Sequence, residues 1–218
     1  MPWLGYFEKI AKADVFVFLD DVQYKKNEWQ NRNRIKTAQG PQWLTVPVTY
    51  HFPEKITEVS VNNEQDWRKH QVHALTMNYS RAKYFDEVYH TLYADLYARE
   101  WKSLADLNIE SIRKAMQYMG ITTKTVRSSE LKTSSTSTQR LIEICSQVGA
   151  ECYIAGAGGK EYMDGSLFDA AKIKVVYQDF KHPAYPQLFG DFQPCLCVLD
   201  LLFNCGPKSR EVLLSAAS

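Results

Sequence analysis

Between Gln23 and Lys36 the chain reads Gln-Tyr-Lys-Lys-Asn-Glu-Trp-Gln-Asn-Arg-Asn-Arg-Ile-Lys, five basic side chains against one acid, Glu28. Arg32 and Arg34 stand two apart, so on an extended chain they share a face. Two guanidinium forks on one face can bind carboxylate or phosphate bidentately. Gln23, Lys26, Asn31, Asn33 and Lys36 add polar contacts, and Trp29 offers a flat face to a base or a sugar. The competing reading makes the arginines solvated charges and Trp29 a core anchor. A plain solvated loop hardly needs Gln30-Asn31-Arg32-Asn33-Arg34 in succession, so this segment leads the candidates for binding a small anionic ligand.

Three other polar groups invite chemistry. Asp20 and Asp21 are neighbours, and neighbours on a strand point to opposite faces, so at most one faces a site; Asp20 is a candidate base. Gly156-Ala157-Gly158-Gly159-Lys160 can aim backbone N–H groups at a phosphate or carboxylate where a helix begins, which makes Gly156, Gly158, Gly159 and Lys160 candidate contacts; a tight turn is the alternative. The glycine spacing fits neither a Walker loop nor a dinucleotide fingerprint, and Lys160 is followed by Glu161. His182-Pro183-Ala184-Tyr185-Pro186 is rigid, because each proline fixes its own φ and biases its predecessor away from helix. His182 held there is a candidate general base near neutral pH, with Tyr185 beside it, or an inert loop histidine.

Other signals are weak. His70 and His73 fall at i and i+3 without a third ligand, and Cys195 and Cys197 stand two apart, which is not a zinc-knuckle spacing. No metal is expected. The five cysteines are odd in number and lie in apolar surroundings, where Cys packs as a small hydrophobe. No Gly-x-Ser-x-Gly elbow supports covalent hydrolase chemistry.

The elements that must position these groups follow from periodicity. Residues 15–19 form an unbroken apolar run, which predicts a strand buried on both faces, as in a parallel sheet. Further strands are expected at 43–48, 56–61, 122–126, 152–155 and 173–177. Helices are expected at 4–13, 66–78, 85–101, 105–119 and 138–148, near 160–171, and from Asp200 to the C-terminus, with Gly120 stopping one and Ser137 or Thr138 capping another. Alternation of strand and helix argues for a mostly parallel sheet. In such a sheet ligands bind beyond the carboxyl ends of the strands, and four strand ends carry the polar groups named above. Phe85, Tyr89, Tyr93, Tyr97 and Trp101 step by four along one helix; each step drifts about 40°, so the row spans roughly 160°. Most should pack inside, with one end meeting a second copy of the chain.

Composition bounds the function. Among 218 residues, 26 basic and 25 acidic side chains leave a net charge of +1, and 45% of residues are hydrophobic. That excludes a disordered tail and the broad basic surface of a nucleic-acid binder. No apolar run approaches the ~20 residues that span a bilayer, and no secretory leader is visible. A cytoplasmic location is expected.

Several stretches resemble the WbqC-like family. They are Pro2-Trp3-Leu4-Gly5-Tyr6-Phe7, Ala13-Asp14-Val15-Phe16-Val17-Phe18-Leu19-Asp20-Asp21-Val22-Gln23-Tyr24, Trp29-Gln30-Asn31-Arg32-Asn33 and Trp43-Leu44-Thr45-Val46-Pro47-Val48. Tyr153-Ile154-Ala155-Gly156, His182-Pro183-Ala184-Tyr185-Pro186-Gln187 and Leu199-Asp200-Leu201-Leu202-Phe203-Asn204 continue the pattern and add Gln187 to the binding candidates. The resemblance covers nearly the whole chain. It implies a place in bacterial gene clusters for O-antigen (lipopolysaccharide) and related surface polysaccharides, and attachment of glycine to an amino sugar. Members usually begin with another apolar strand and a Gln-Pro turn, and this chain starts at Met1-Pro2. The first strand of the family is therefore apparently absent, and a gap in the sheet is expected.

These readings combine into one expectation: a single α/β domain over residues 1–218, with a mainly parallel central sheet, flanking helices, a Rossmann-like three-layer architecture and a helical insertion at 65–118. The favoured function is a transferase that joins an amino acid such as glycine to the amine of a nucleotide-linked amino-deoxy sugar. Arg32, Arg34 and Lys36 would hold the diphosphate, and His182 or Asp20 would take the amine proton. The acyl donor needs activation, for which ATP is a candidate cofactor although no nucleotide motif identifies it. The alternatives are a nucleotidyl transferase acting on a small substrate and a non-catalytic sugar-nucleotide binding protein. The expected partners are small molecules and possible further copies of the chain, with no nucleic-acid polymer and no membrane.

Overall fold

A computed structural model describes residues 1–215. The first elements are α1 (Leu4–Lys12), β1 (Val15–Phe18), β2 (Arg32–Thr37), β3 (Gly40–Thr45), β4 (Val48–Thr49) and β5 (Ser60–Val61). A helical region follows: α2 (Trp67–Tyr79), α3 (Phe85–Val88), α4 (Ala94–Ala98) and α5 (Leu104–Tyr118). The remainder is β6 (Lys124–Arg127), α6 (Ser137–Gln147), β7 (Cys152–Ala155), α7 (Gly165–Ala170), β8 (Lys174–Tyr177), α8 (Val198–Cys205) and α9 (Ser209–Ser215).

The molecule is mixed α/β, and its strands form four two-stranded units rather than one central sheet. β1 pairs in parallel with β6, and β7 with β8. Each strand is only four residues long, and the expected burial on both faces is not found: β1 is half-buried except at Phe18, and β6, Lys-Thr-Val-Arg, is not an apolar run. Among the described residues no further strand bridges the two pairs, so the expected single sheet edge becomes two separate edges. The other two units are antiparallel. β2 and β3 form a hairpin, closed by a tight turn in which Gly40 has φ +104° and Thr37 Oγ donates to the Gly40 carbonyl at 2.8 Å.

Several boundaries differ from expectation. The 56–61 strand is a 3₁₀ turn, Ile56–Glu58, followed by the two residues of β5. Helix 85–101 is broken: a π turn, Tyr89–Tyr93, separates α3 from α4, and Arg99 leaves the helix with extended backbone. The wider turn shifts the aromatic row around the axis; Phe85 and Tyr93 are buried, as is Trp101, which lies beyond the end of the helix. α6 is capped differently from the sequence reading. Thr136 holds the cap position without a side-chain bond, Ser137 is already inside the helix, and Glu143 accepts the Ser134 and Ser135 N–H groups instead. From Asp200 onward, α8 and α9 are joined by a 3₁₀ turn, Gly206–Lys208; residues 216–218 of the expected helix lie outside the described residues.

One large apolar cluster unites α1, α2, α5 and α8 through Leu4, Phe7, Tyr79, Ile112, Leu202 and Phe203. Helices 67–118 thus share their core with the N-terminal elements. A smaller cluster of Ile142, Cys145, Phe168 and Ile173 lies among α6, α7 and the β7–β8 pair. Gly5 is needed on α1, because a Cβ there would come within 2.5 Å of the Trp3 indole. No helix among the described residues is long and apolar enough to cross a membrane.

Candidate functional site

The structure distributes the predicted site residues over four places. The first is the β2–β3 hairpin. Strand alternation puts Arg32, Arg34 and Lys36 on one face, while Asn33, Ile35 and Thr37 turn inward and are buried. Arg34 stands opposite Trp43 in the ladder, and Trp43 packs against Trp29 with ring centroids 5.2 Å apart at 40°. The Arg32 guanidinium carbon lies 4.4 Å from the Trp43 ring centroid, and that of Arg34 lies 5.7 Å from Trp29 and 5.6 Å from Trp43. Trp29 is 57% and Trp43 42% exposed. Among the described residues neither arginine pairs with an acid: Arg32 donates to the Asn27 carbonyl, and the Arg34 side chain donates to nothing. Beside this platform a shallow cleft of about 570 Å³ is lined by Val22, Gln23, Lys25, Glu28, Trp29 and Gln30, so it carries one acid and one base. Lys26 is exposed nearby, whereas Asn31 turns inward to donate to the Val46 carbonyl. Trp43 was read from sequence as a strand residue and was missed as part of the site; the two-residue turn that sets it against Arg34 is the signal.

The second place is the buried end of β2. Lys36, 4% exposed, is closed in by the Gly190 and Asp191 carbonyls, so it does not reach the platform. Its backbone N–H donates to Tyr79 Oη at 2.8 Å, and that hydroxyl donates to Asp200 Oδ2 at 2.7 Å. Gln187 Nε2 donates to Asp200 Oδ1 at 2.8 Å. His182 and Tyr185 stack above this centre, with ring centroids 6.3 Å apart. Burial lowers the His182 pKa, and the Pro183 carbonyl and the Asp200 charge oppose it. Asn33, on the inner face of β2, is buried and donates to the Met1 carbonyl at 2.8 Å, away from either surface.

The third place joins the carboxyl ends of β1 and β6. Asp20, 4% exposed, accepts from Arg127 Nε at 2.6 Å, from Ser129 N at 3.0 Å and from Ser129 Oγ at 2.8 Å. Asp21 pairs with Arg140 and Ser128. Burial pushes both carboxyls up, but the arginine and serine hydrogen bonds and the guanidinium charges outweigh it and hold them below the usual carboxylate range. Asp20 and Asp21 are thus weak proton acceptors whose oxygens are already occupied.

The fourth place is the end of β7, where residues 157–161 form a 3₁₀ turn. Gly159 is buried, and a Cβ there would lie 3.2 Å from the Ala155 Cβ; Gly158 borders open space. A Cβ on Gly156 would lie 3.5 Å from Lys9 Nζ, which brings Lys9 of α1, unnoticed in the sequence, to this turn. Lys160 sits over the Tyr177 ring at 4.9 Å.

The chain is a mixed α/β protein in which, among the described residues, Arg32 and Arg34 rest on exposed indoles without an acid partner. The profile of the WbqC-like protein family matches residues 1–212, and the chain belongs to that family. It is 40% identical over 217 residues to the uncharacterized protein Rv1507c of Mycobacterium tuberculosis, a match covering 98% of this chain and 93% of the relative. No solved structure matches the chain.

Proposed function

We propose that the chain binds a nucleotide-linked amino-deoxy sugar at the Trp29–Trp43 platform and joins an amino acid such as glycine to the sugar's amine, as a transferase of bacterial surface-polysaccharide (O-antigen) assembly. The carrying observation is the Arg34 guanidinium, which lies beside two exposed, mutually packed indoles without an acid partner. A cation left unpaired on the surface of a folded chain is available to a ligand phosphate, and an exposed indole is available to a flat ring. Family membership supports the polysaccharide setting.

In this reading Arg32 and Arg34 hold the diphosphate and Trp29 stacks on the base or sugar. The turn at Gly156 and Gly158, with Lys9 and Lys160, takes the carboxylate or phosphate of the acyl donor, an activated ester or mixed anhydride; Gly159 is buried and its N–H is used within the turn by the Gly156 carbonyl. The amine attacks the acyl carbon, the C–N bond forms as the bond to the leaving oxygen breaks, and His182 Nε2 receives the amine proton. Lys36 and Asp20 act in support, the one closing the His182 loop onto β2 and the other fixing Arg127.

The test is turnover with nucleotide sugar, glycine and ATP. Arg34→Ala should raise KM at nearly constant kcat, and His182→Ala should lower kcat about 100-fold. Unchanged turnover in both variants overturns the scheme. Because the chain itself occupies Asp20 and Lys36, a non-catalytic sugar-nucleotide binder is the second reading; binding by the parent without turnover selects it.

A further inference from the structure

The nitrogen that the proposed reaction needs is covered. His182 Nε2 lies buried without a hydrogen-bond partner, and so does the hydroxyl of Tyr185, whose ring stacks on the imidazole at 6.3 Å between centroids. The cover includes Phe192, whose ring centroid lies 5.5 Å from that of His182 and 5.3 Å from that of Tyr185. The histidine's tautomer makes this a question of access. Nδ1 lies 2.9 Å from the Pro183 carbonyl, which can only accept, so Nδ1 carries the hydrogen and the covered Nε2 holds the lone pair.

Phe192 sits on a loop with few ties. Residues 178–196 contain no helix or strand, and among the described residues no backbone N–H from 179 to 196 donates to a backbone carbonyl. Side chains close the loop instead. The Gln187 amide donates to the Gln193 carbonyl at 3.0 Å and accepts the Gln193 N–H at 2.8 Å, which ties together the two ends of residues 188–192. Their tip is held to β2 by the Lys36 ammonium, which donates to the Gly190 carbonyl at 3.4 Å and to the Asp191 carbonyl. Among the described residues no acid lies within 4.0 Å of that ammonium, so neutral carbonyls hold it. The tip is exposed and strained: Phe189 has φ +62°, a left-handed conformation unfavourable for a bulky residue, and Gly190 follows at +74°.

We propose that residues 188–192 are a lid over His182 with Lys36 as its latch: swinging them out lifts Phe192 and opens Nε2 and the Tyr185 hydroxyl to a substrate. The lid's part in catalysis rests on the reading of His182 as the base. A segment held by side chains alone opens at a small fraction of the cost of global unfolding, and its closure over a bound substrate keeps water from the acyl transfer. Gln187 is the fixed end, because its amide also donates to Asp200 Oδ1 of α8 at 2.8 Å.

The experiment is modification of the full chain by diethyl pyrocarbonate at about pH 7.5, where a histidine of ordinary pKa, about 6.5, is neutral; burial holds His182 lower still. Mass spectrometry reads each site. His51, His70, His73 and His90 are exposed and give the open rate within the same molecule. His182 in the parent should react at least about tenfold more slowly than these four, and its rate should rise only slightly in low urea, because opening so short a segment exposes little surface. Lys36→Met removes the latch without altering any ring packed on His182; it should speed His182 about tenfold and leave the other four unchanged. Lys36→Gln, which keeps a donor, should fall between. A parent His182 as fast as the exposed four, or one whose rate follows urea with the slope of global unfolding, overturns the proposal, and this arm needs no variant to fold. An unchanged His182 rate in folded Lys36→Met overturns it as well. Latch-dependent modification in a chain that shows no acyl transfer upholds the lid and removes the catalytic reading of His182.

Discussion

Four arginines near the strand ends divide into two pairs with opposite surroundings. Arg127 and Arg140 meet the carboxylates of Asp20 and Asp21 at the junction of β1, β6 and α6, where Ser128 and Ser129 fill the remaining acceptor sites. Arg32 and Arg34 meet indoles. Carboxylates neutralise a guanidinium and use up its fork, whereas an indole face leaves both charge and in-plane donors free. The first pair therefore ties β6 and α6 to the end of β1, while in the second Arg32 gives one donor to the Asn27 carbonyl and the Arg34 side chain gives none, which is why the proposed reading sets the ligand there.

The sharpest way to break this contrast is to remove one acid. Asp20→Ala leaves Arg127, only 25% exposed, beside Asp106 alone. Removing one partner of a buried pair costs about 3–5 kcal/mol, so urea unfolding should show a loss of that order. Ligand affinity in whatever fraction stays folded should be unchanged. A loss below about 1 kcal/mol would put Asp20 in the same class as the platform residues.

Arg34→Ala should do the reverse. The charged hydrogen bonds it offers a phosphate are worth about 1.5–3 kcal/mol, which is roughly a 10- to 150-fold rise in Kd by calorimetry with a nucleotide sugar. Stability should fall by less than about 1 kcal/mol, because only contacts with Trp29 and Trp43 are lost. A large stability loss with unchanged Kd would make Arg34 a structural residue.

These two pairs also mark how far the sequence could be read. β1 was legible because an apolar run needs no partner to identify it as a strand. Its neighbours were not: a run states burial, while pairing depends on where distant segments settle, so the single sheet dissolved into two parallel pairs. β2 escaped because its outward residues are Arg32, Arg34 and Lys36 and its inward ones include Asn33 and Thr37, a pattern with almost no hydrophobic alternation. The platform arginines were legible as a local excess of charge. Arg127 and Asp200 were not, since what matters about each is a partner more than 100 residues away (Asp20 and Tyr79).

A smaller difference is set by pH. Asp20 and Asp21 are held below the usual carboxylate range, so their contribution is fully present above the unfolded pKa of about 3.9 and is lost as pH falls through the depressed folded values. Stability should therefore drop steeply in acid below about pH 4. Asp21→Asn should flatten that drop, read as the slope of unfolding free energy against pH. Binding at the platform should not follow the same curve, because neither Asp20 nor Asp21 contacts the platform arginines.

The smallest effect separates the indoles from the guanidinium groups they carry. Trp29 is more than half exposed and packs on Trp43, which itself touches both arginines. Trp29→Ala removes one ring face and one cation–π contact, together worth about 1 kcal/mol at an exposed site, so Kd should rise about fivefold. The salt dependence of binding should stay as in the parent, because both charges remain, whereas Arg34→Ala should flatten it. If Trp29→Ala changes the salt dependence instead, the ring's part is to hold the guanidinium in place rather than to meet the ligand, and the stacking role passes to Trp43.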